Sequence, residues 1–464
     1  MSERDLLRRT AEIAVDFLES LDDRPVFPTV EGEHLRGALD VPLPEDTADP
    51  LAVVEAVAQA VDPGVVASQS GRYFGFVVGS TLPAALAADW LTSAWDQNLG
   101  LRALGPSALV MENTAGRWVA ELLGIPRDAS FALVTGCQMA HVTCLAAARE
   151  HVLRQEGWDL VEQGLAGSPP IRVVAGETRH STIDRALKFL GIGRRQVREV
   201  AVDPRGRMLP EALRDALSAD TDAPTIVCAQ AGDVNTGACD DLAAIADVVR
   251  ATRAWLHVDG AFGLWAAASP ARRHLVAGHD RADSWATDAH KWLNVPYDCG
   301  IAFCAHPDSH LRAMTAHADY YVRDPDAMRE PLDWTPDHSR RARGTALYVV
   351  LRQLGRKGVA SLVDRSCEHA RRFARDIALL PGCRVLNDVV LNQVLFCFGD
   401  DAVTNAVLAH VQESGEAWMS GTTWDGRSAI RLSVSSWRTT ELDIERTVAA
   451  FAAAVASAQT RSRG

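Results

Sequence analysis

The sequence predicts an α/β fold: a large domain built on a sheet with helices on both faces, followed by a smaller α+β domain. Two observations lead to this prediction. From about residue 105 to about residue 305, short apolar segments alternate with segments of helical period. The chain is also long enough to bury a large core, because 47% of its 464 residues are hydrophobic.

The predicted strands are short and almost entirely apolar. Strands that are apolar on both faces are typical of a sheet that lies between two helical layers. Ligands of such sheets bind at the carboxyl ends of the strands, so polar residues just after a strand are candidates for a functional site. We expect seven strands, at residues 131–135, 171–175, 197–202, 225–229, 254–258, 284–287 and 300–304.

Residues 1–80 are predicted to form an N-terminal arm, which is helical from Leu6 to Leu21 and is then interrupted by four prolines. Residues 81–305 are predicted to form the large domain. An arm of this kind often wraps a partner subunit, and residues 82–91 are too apolar to remain exposed. We therefore expect a homodimer.

Residues 306–340 are predicted to form an active-site lid loop. Residues 315–340 are polar and charged and contain three prolines, at 325, 331 and 336. Long loops of this composition are often mobile covers over a site. Residues 341–464 are predicted to form the small C-terminal domain, with strands near 394–398 and 429–434 and a final helix from Asp443.

Composition excludes several classes of protein. The net charge of -13 and the pI near 5.5 argue against a nucleic-acid partner and against an anionic membrane partner. The first residues have no apolar core of signal-peptide length. The nine cysteines contain no C-x-x-C pair, so no metal site is expected, and their odd number indicates reduced thiols in a cytoplasm.

Lysine is rare in this chain. Only Lys188, Lys291 and Lys357 occur among 47 basic residues. Arginine cannot attack a carbonyl, whereas a desolvated lysine can. Lys291 lies 32 residues after Asp259, which ends an apolar segment. An amine that holds an aldehyde as a Schiff base, with an acid that keeps a pyridine nitrogen protonated, indicates a pyridoxal 5'-phosphate (PLP) site.

Three further segments follow predicted strands. Gly136, Cys137 and Gln138 join a strand to a helix, and the first amides of that helix can bind a phosphate, although glycine is common in such turns. His180 is either a ring that stacks on a planar ligand or a polar loop residue. Asn235 and Thr236 are either ligand contacts or part of an ordinary turn.

Several motifs resemble those of the group II PLP-dependent amino-acid decarboxylases, the family of the aromatic-amino-acid and glutamate decarboxylases. The resemblance extends from about residue 70 to the C-terminus. The His-Lys-Trp motif with its following Asp-Cys-Gly is the most specific. The segments that carry the resemblance are residues 72–76, 135–140, 229–238, 257–262, 288–300, 424–427 and 430–433.

The resemblance implies the PLP-dependent transferase fold type I (aspartate-aminotransferase-like), with a mostly parallel seven-stranded sheet. It also implies a role for each matching residue. Lys291 would form the Schiff base, Asp259 would pair with the pyridine nitrogen, Ala261 would pack under the ring and His180 would stack on its other face. The residues implied around the phosphate are Cys137, Gln138, Asp288 and His290, and those implied near the ring substituents or the substrate carboxylate are Asn235 and Thr236.

Aromatic residues are expected to line the substrate end of the site: Tyr73, Phe74, Phe76 and Trp95. Ordinary core packing is the alternative explanation for all four. The implied substrate is an L-amino acid with an aromatic or otherwise bulky side chain.

The sequence leaves the product of the reaction open. The family's aromatic decarboxylases have a lid tyrosine that protonates the substrate carbon after CO₂ leaves, and residues 330–334 contain none. His317, Tyr320 and Tyr321 are other candidates for the proton donor. Release of an amine is the main prediction. The alternatives are oxygen capture to give an aldehyde and ammonia, a PLP lyase that acts at the β-carbon, and a cofactor-free relative.

Overall fold

The structure is a computed structural model, and it describes residues 2–28, 30, 32–219, 223–315 and 329–461. The described residues form two compact units. The larger unit contains residues 79–370 and 387–393, and the smaller one contains residues 1–78, 371–386 and 394–464. These boundaries differ from those of the four predicted segments, because the N-terminal residues belong to the same unit as the C-terminal sheet.

The larger unit is built on a seven-stranded sheet, as the sequence predicts. The strands are β1 (Ser130–Val134), β2 (Arg172–Gly176), β3 (Val197–Val200), β4 (Thr225–Gln230), β5 (Trp255–Asp259), β6 (Ser284–Asp288) and β7 (Gly300–Cys304). Their order is β1-β7-β6-β5-β4-β2-β3. The pairs from β3 to β6 are parallel, whereas β7 is antiparallel to both β1 and β6. The predicted fold type I, with a mostly parallel sheet, is confirmed.

Helices cover this sheet, which explains why its strands are apolar on both faces. Every residue of β1, β5, β6 and β7 is buried. The helices of the larger unit are α4 (Pro83–Trp95), α5 (Pro106–Leu123), α6 (Cys137–Gln155), α7 (Leu160–Gln163), α8 (Ser181–Phe189), α9 (Pro210–Ser218), α10 (Leu242–Arg250), α11 (Pro307–Met314) and the first part of α12 (Gly344–Ile377). Within α12 the helix is interrupted at Gly355, whose φ of 58° is left-handed.

Helix α6 lies close to the sheet because the contact is made by small side chains. Ala140 and Cys144 of α6 pack in one buried cluster with Ala286 of β6 and Ala302 of β7. Short side chains on both sides reduce the distance between helix and strands. As a result, a polar side chain elsewhere on α6 can reach the strand ends.

Part of the predicted lid is helical. Residues 307–314 form α11, whose Ser309 and His310 are buried. His310 Nδ1 lies 2.8 Å from Ser130 Oγ, and its Nε2 lies 2.9 Å from the carbonyl oxygen of Trp334. These polar contacts hold the segment against the sheet as a helix. His317, Tyr320 and Tyr321 lie outside the described residues, and the role of the lid stays a prediction.

The smaller unit contains a four-stranded sheet, in the order β10-β11-β9-β8. Its strands are β8 (Cys383–Val385), β9 (Gln393–Phe398), β10 (Ser420–Trp424) and β11 (Arg427–Ser433). Phe373, Phe396, Phe398 and Phe451 pack together, with ring centroids 5.3–6.1 Å apart. Its helices are α1 (Glu3–Glu19), α2 (Gly32–Leu39), α3 (Pro50–Val61), the end of α12, α13 (Asp401–Glu413) and α14 (Glu441–Arg461). The small α+β domain is thus confirmed.

Two further features of the molecule concern its thiols and its helices. All nine cysteines are free thiols, and all except Cys383 are buried. Among the helices of the described residues, none combines the length and the apolar character needed to cross a membrane.

Candidate active site

Two carboxylates lie at the ends of neighbouring strands. Asp259 is the last residue of β5 and Asp288 is the last residue of β6. The strands are parallel and paired, with Asp259 opposite Ala286, so both side chains lie at the same edge of the sheet. The amide of Asp288 donates to the carbonyl of Ala261, 3.0 Å away, which joins the two strand ends. This is the edge at which α/β proteins bind ligands.

Lys291 lies one turn beyond β6. Its Nζ is 3.1 Å from Asp288 Oδ2, and its side chain is 21% exposed. Burial alone lowers the pKa of Lys291, but Asp288, Cys137 and Asp259 reverse this effect and raise the pKa above its usual value. The amine is therefore held as a cation, and the bond to an aldehyde requires removal of a proton from it.

A tight backbone contact fixes the position of Lys291. A Cβ at Gly79 would lie 1.8 Å from the carbonyl oxygen of Lys291, so only glycine fits there. The next residue, Ser80, donates its amide and its hydroxyl to Asn294 Oδ1, both at 3.1 Å. The segment before α4 therefore braces the loop that carries the lysine.

Asp259 is buried and is held by both of its oxygens. Oδ1 accepts the amide of Ala261 at 3.1 Å, and Oδ2 lies 3.5 Å from His141 Nε2. Burial raises the pKa of Asp259, but His141, His180 and Lys291 outweigh burial and lower the pKa below its usual value. The carboxylate is therefore ionised in spite of its burial.

The first turn of α6 lies at the same edge of the sheet. Among the described residues no side chain caps this helix at Gly136, so the amides of Cys137 and Gln138 remain available to an anion, whereas that of Met139 donates to the carbonyl of Gly136 at 2.9 Å. A Cβ at Gly300 would lie 2.4 Å from the backbone of Gly136, and a Cβ at Gly136 would lie 3.1 Å from the ring of His290. Glycine at both positions allows the turn to approach β7 and His290.

Two predicted phosphate contacts have other partners in this structure. Gln138 Nε2 donates to the carbonyl of Thr182 at 3.2 Å. The thiol of Cys137 lies 3.5 Å from His141 Nε2, and burial together with Asp288 and Asp259 raises the pKa of this thiol well above its usual value. Cys137 is therefore a neutral thiol, and the phosphate roles of both side chains stay predictions.

His290 and His180 each have a defined tautomer. His290 Nδ1 accepts the amide of Cys299 at 3.1 Å, and burial lowers the pKa of this imidazole. His180 Nδ1 accepts the amide of Thr182 at 3.3 Å, where His180 is the N-cap of α8. In both rings Nδ1 accepts a hydrogen bond, which places a ring proton on Nε2.

Asn235 and Thr236 form a tight turn after β4. Asp233 Oδ1 accepts the amides of both residues at 2.8 Å and lies 3.1 Å from the hydroxyl of Thr236. The same hydroxyl lies 2.9 Å from the carbonyl of Arg205. The turn is thus rigid, and its predicted contact with the ring or with the substrate carboxylate is untested.

The predicted substrate residues belong to different units. Tyr73, Phe74 and Phe76 are in the smaller unit, and Trp95 is at the end of α4 in the larger one. Tyr73 and Phe76 both pack on Trp418, with ring centroids 5.3 Å apart. Tyr73 and Phe74 are buried, whereas Phe76 and Trp95 are exposed. The substrate contacts of all four stay predictions.

Sequence reasoning missed three residues of this site. His141 contacts Asp259, His257 contacts His141, and the ring of Tyr297 lies 4.3 Å from that of His290. One signal was available for His257, which precedes Asp259 by two residues in an apolar strand and so points to the same face. His141 lies within an otherwise apolar helix and gave no comparable signal.

Comparison with known proteins agrees with this geometry. The model of the family described as "Pyridoxal-dependent decarboxylase conserved domain" matches residues 32–398. The chain belongs to this family. It is a PLP-dependent amino-acid decarboxylase, as the sequence predicts.

The decarboxylase has relatives over almost its whole length. It is 26% identical over 468 residues to a 4-hydroxyphenylacetaldehyde synthase of Rhodiola rosea, with 95% of this chain and 93% of the relative covered. It is 27% identical over 480 residues to tryptophan decarboxylase 1 of Oryza sativa subsp. japonica, with coverage of 93% and 90%. A crystal structure of Oryza sativa TDC with PLP and tryptamine has the same fold, with a TM-score of 0.92 at 23% identity and coverage of 98% and 97%.

The residues at this edge of the sheet fit PLP. The cofactor has an aldehyde, a basic ring nitrogen and a phosphate. The site offers an amine at Lys291, an ionised carboxylate at Asp259 and uncapped amides at the start of α6. Asp288 Oδ1 is also buried and has no hydrogen-bond partner among the described residues. This arrangement of donors and acceptors matches the three functional groups.

Asp288→Asn should make Lys291 more reactive. Loss of the neighbouring carboxylate lowers the pKa of the amine by about 1 unit, so at a given pH about 10-fold more of it is neutral. Acylation of the cofactor-stripped protein, followed by peptide mass spectrometry, measures this rate. Lys188 and Lys357 serve as internal controls whose rates should not change. An unchanged acylation rate at Lys291 would show that Asp288 does not stabilise the protonated form of this amine.

Proposed function

We propose that this enzyme decarboxylates an aromatic L-amino acid and that Lys291 and Asp259 hold its cofactor. The contact that supports this most directly is the Lys291–Asp288 pair beside Asp259, at the ends of adjacent strands. Bound PLP supplies an aldehyde that joins to amines and a protonated ring that accepts electrons from a breaking bond. The names of the relatives, which include tryptophan and tyrosine decarboxylases, support an aromatic substrate.

The roles proposed for the protein groups follow from their protonation states. Asp259 stays ionised and binds the protonated ring nitrogen, and Ala261 packs against one face of the ring. His180 stacks on the opposite face, and its orientation is held by Thr182. Asp288, 3.1 Å from Lys291 Nζ, holds and orients the protonated amine. The amides at the start of α6, with Cys137, Gln138 and His290 around them, bind the phosphate.

Reduction of the purified protein with borohydride should attach the cofactor to Lys291. This lysine alone lies at the carboxylate pair, whereas Lys188 lies in α8 and Lys357 lies in α12. Peptide mapping identifies the labelled residue, and a label on Lys188 or Lys357 would refute the assignment. Lys291→Arg should lose both the label and all turnover, because a guanidinium cannot form the bond. Lys188→Arg is the matched control and should retain both.

The product depends on which group protonates the substrate carbon. Residues 329–340 contain no tyrosine. Tyr297 lies against His290, and its electrostatic environment includes Lys291 and Asp288. Although Tyr297 is 58% exposed, its neighbours partly exclude water from the phenol and raise its pKa, so the phenol is protonated and able to act as an acid. We propose that Tyr297 supplies this proton and that the main product is an amine.

Formation of an aldehyde is the second candidate activity. It is favoured by the lack of a tyrosine at residues 330–334 and by relatives named as aldehyde synthases. Under air, wild-type protein should release about one amine per CO₂ without oxygen uptake. Tyr297→Phe should slow amine formation by about 10²-fold and raise the yield of aldehyde and peroxide. Tyr348→Phe, whose ring packs on Trp118, is the control. Aldehyde from the wild-type protein would establish the second activity instead.

We also propose a homodimer in the cytoplasm. Helices α1, α2 and α3 bury none of their residues, and α4 exposes Trp90, Leu91 and Trp95. Exposed apolar faces of this kind are typical of surfaces that a second subunit covers. Nine free thiols suit a reducing compartment.

Sedimentation should show a dimer for the wild-type protein. Leu91→Asp places a charge on the exposed face of α4 and should raise the dimer dissociation constant at least about 10-fold. Leu379→Asp, at another exposed leucine, is the control and should leave the dimer unchanged. A fully active monomer would contradict the proposal.

A further inference from the structure

A network of buried side chains lies behind Asp259. His141 Nε2 is 3.5 Å from Asp259 Oδ2, and His141 Nδ1 is 2.9 Å from His257 Nε2. His257 Nδ1 is 2.9 Å from Ser284 Oγ, which accepts Trp255 Nε1 at 2.8 Å. His141, His257 and Ser284 are 0% exposed, and Trp255 is 1% exposed. We call Trp255, Ser284, His257 and His141 the histidine network.

The donors of this network can be assigned one by one. The indole of Trp255 can only donate, so Ser284 Oγ accepts from it. The hydroxyl of Ser284 can then donate to His257 Nδ1. His257 therefore has its proton on Nε2 and donates to His141. His141 in turn has its proton on Nε2, which faces Asp259.

Protonation of His141 on both nitrogens would reverse the inner contacts of the network. His257 would then accept from His141 and donate to Ser284, whose hydroxyl can donate to Cys144 instead. Burial and His141 lower the pKa of His257 to about 3, which keeps this ring neutral. In both arrangements His141 has a hydrogen on Nε2, the nitrogen 3.5 Å from Asp259. A proton on Nδ1 alone would instead leave a lone pair facing the carboxylate.

We propose that His141, oriented by His257 and Ser284, is a positioning residue that keeps the carboxylate of Asp259 ionised for the ring nitrogen of the cofactor. This inference rests on the proposed role of Asp259. An N–H group that points at a carboxylate stabilises the ionised form and weakens the carboxylate as a base. The shared proton then stays on the ring nitrogen instead of moving to Asp259. The amide of Ala261 acts in the same way on the other oxygen.

Other titratable groups also face this pair. Their effect on the pKa of Asp259 is the same in all variants at position 141. His180 and Lys291 favour the ionised form of Asp259. Asp259 itself raises the pKa of the thiols of Cys137 and Cys228, and Asp288 contributes to that of Cys137. The groups that face Asp259 and His141 from the surrounding elements are thus His180, Lys291, His257, Cys137, Cys228 and Asp288.

A metal site is the rival explanation for the same atoms. One ligand atom each from Cys137, His141 and Asp259 lie within 4.8 Å of one another. A metal there would need a thiolate, whereas burial and the neighbouring carboxylates raise the pKa of this thiol well above its usual value. The consistent donor pattern of the network therefore favours the hydrogen-bonding role.

The test uses holoprotein that contains PLP labelled with ¹⁵N in the ring. The ¹⁵N chemical shift reports ring protonation without any turnover. In the wild-type protein the nitrogen should resonate in the pyridinium range. In His141→Leu the pH at which the ring loses its proton should fall by about 1 unit. His141→Gln should resemble the wild-type protein, because its amide nitrogen can take the place of Nε2.

Two controls separate this inference from the proposal on which it rests. His310→Leu removes a similarly buried histidine outside the network and should leave the ring nitrogen unchanged. Asp259→Asn should move the ring nitrogen strongly. If Asp259→Asn has no effect, the proposed role of Asp259 is wrong. If Asp259→Asn has its effect but His141→Leu matches the wild-type protein, only the role of His141 is wrong.

A second measurement applies even if His141→Leu does not fold. In wild-type holoprotein labelled with ¹⁵N-histidine, His141 should have a proton on Nε2. A His141 whose only proton is on Nδ1 would overturn the inference, because no hydrogen would then face Asp259. One equivalent of divalent metal in the holoprotein that His141→Gln loses would also overturn it, in favour of the metal site.

Discussion

The burial of two carboxylates at adjacent strand ends is the constraint on which the site depends. A buried carboxylate loses several kcal/mol of hydration, which neighbouring charges and hydrogen bonds must replace. Asp288 is stabilised by the Lys291 amine, and Asp259 by the amide of Ala261 and by His141. The residues that compensate these charges are the same ones for which we propose roles in binding the cofactor. Electrostatic stability and chemistry are therefore inseparable here.

This constraint explains the packing around the strand ends. Asp259 needs a donor from α6, so the helix must lie close to the sheet, and the alanines and Cys144 at their contact allow this. Gly300 permits the close approach of the α6 turn to β7, and Gly79 does the same for the loop of Lys291. Small residues thus lie where the backbone must come close to the charged groups. Larger side chains at these positions would separate the acids from their partners.

The sequence predicts the residues that directly follow apolar strands, because strand ends in a parallel sheet meet at one edge. Asp259 is identified in this way, as is the seven-stranded sheet, whereas Lys291 is identified by the rarity of lysine and Asp288 by the family resemblance. His141 is not identified from the sequence, since its contact with Asp259 depends on how α6 packs against the sheet. No local sequence pattern indicates this packing. The short strands β8 and β10 are not predicted for another reason: they are largely polar or incompletely buried. The division between arm and small domain also depends on contacts between distant parts of the chain.

The distribution of sulfur in this molecule has a consequence for its dynamics. Eight thiols lie in closed packing, in both compact units, and burial raises the pKa of Cys228, Cys239, Cys299 and Cys304 to about 12. Neither exposure nor ionisation makes them reactive while the surrounding structure is closed. Alkylation of each one must therefore wait for a local opening, and its rate reports the free energy of that opening. The chain thus contains natural probes of its own fluctuations, from the first turn of α6 to the strands of the C-terminal sheet.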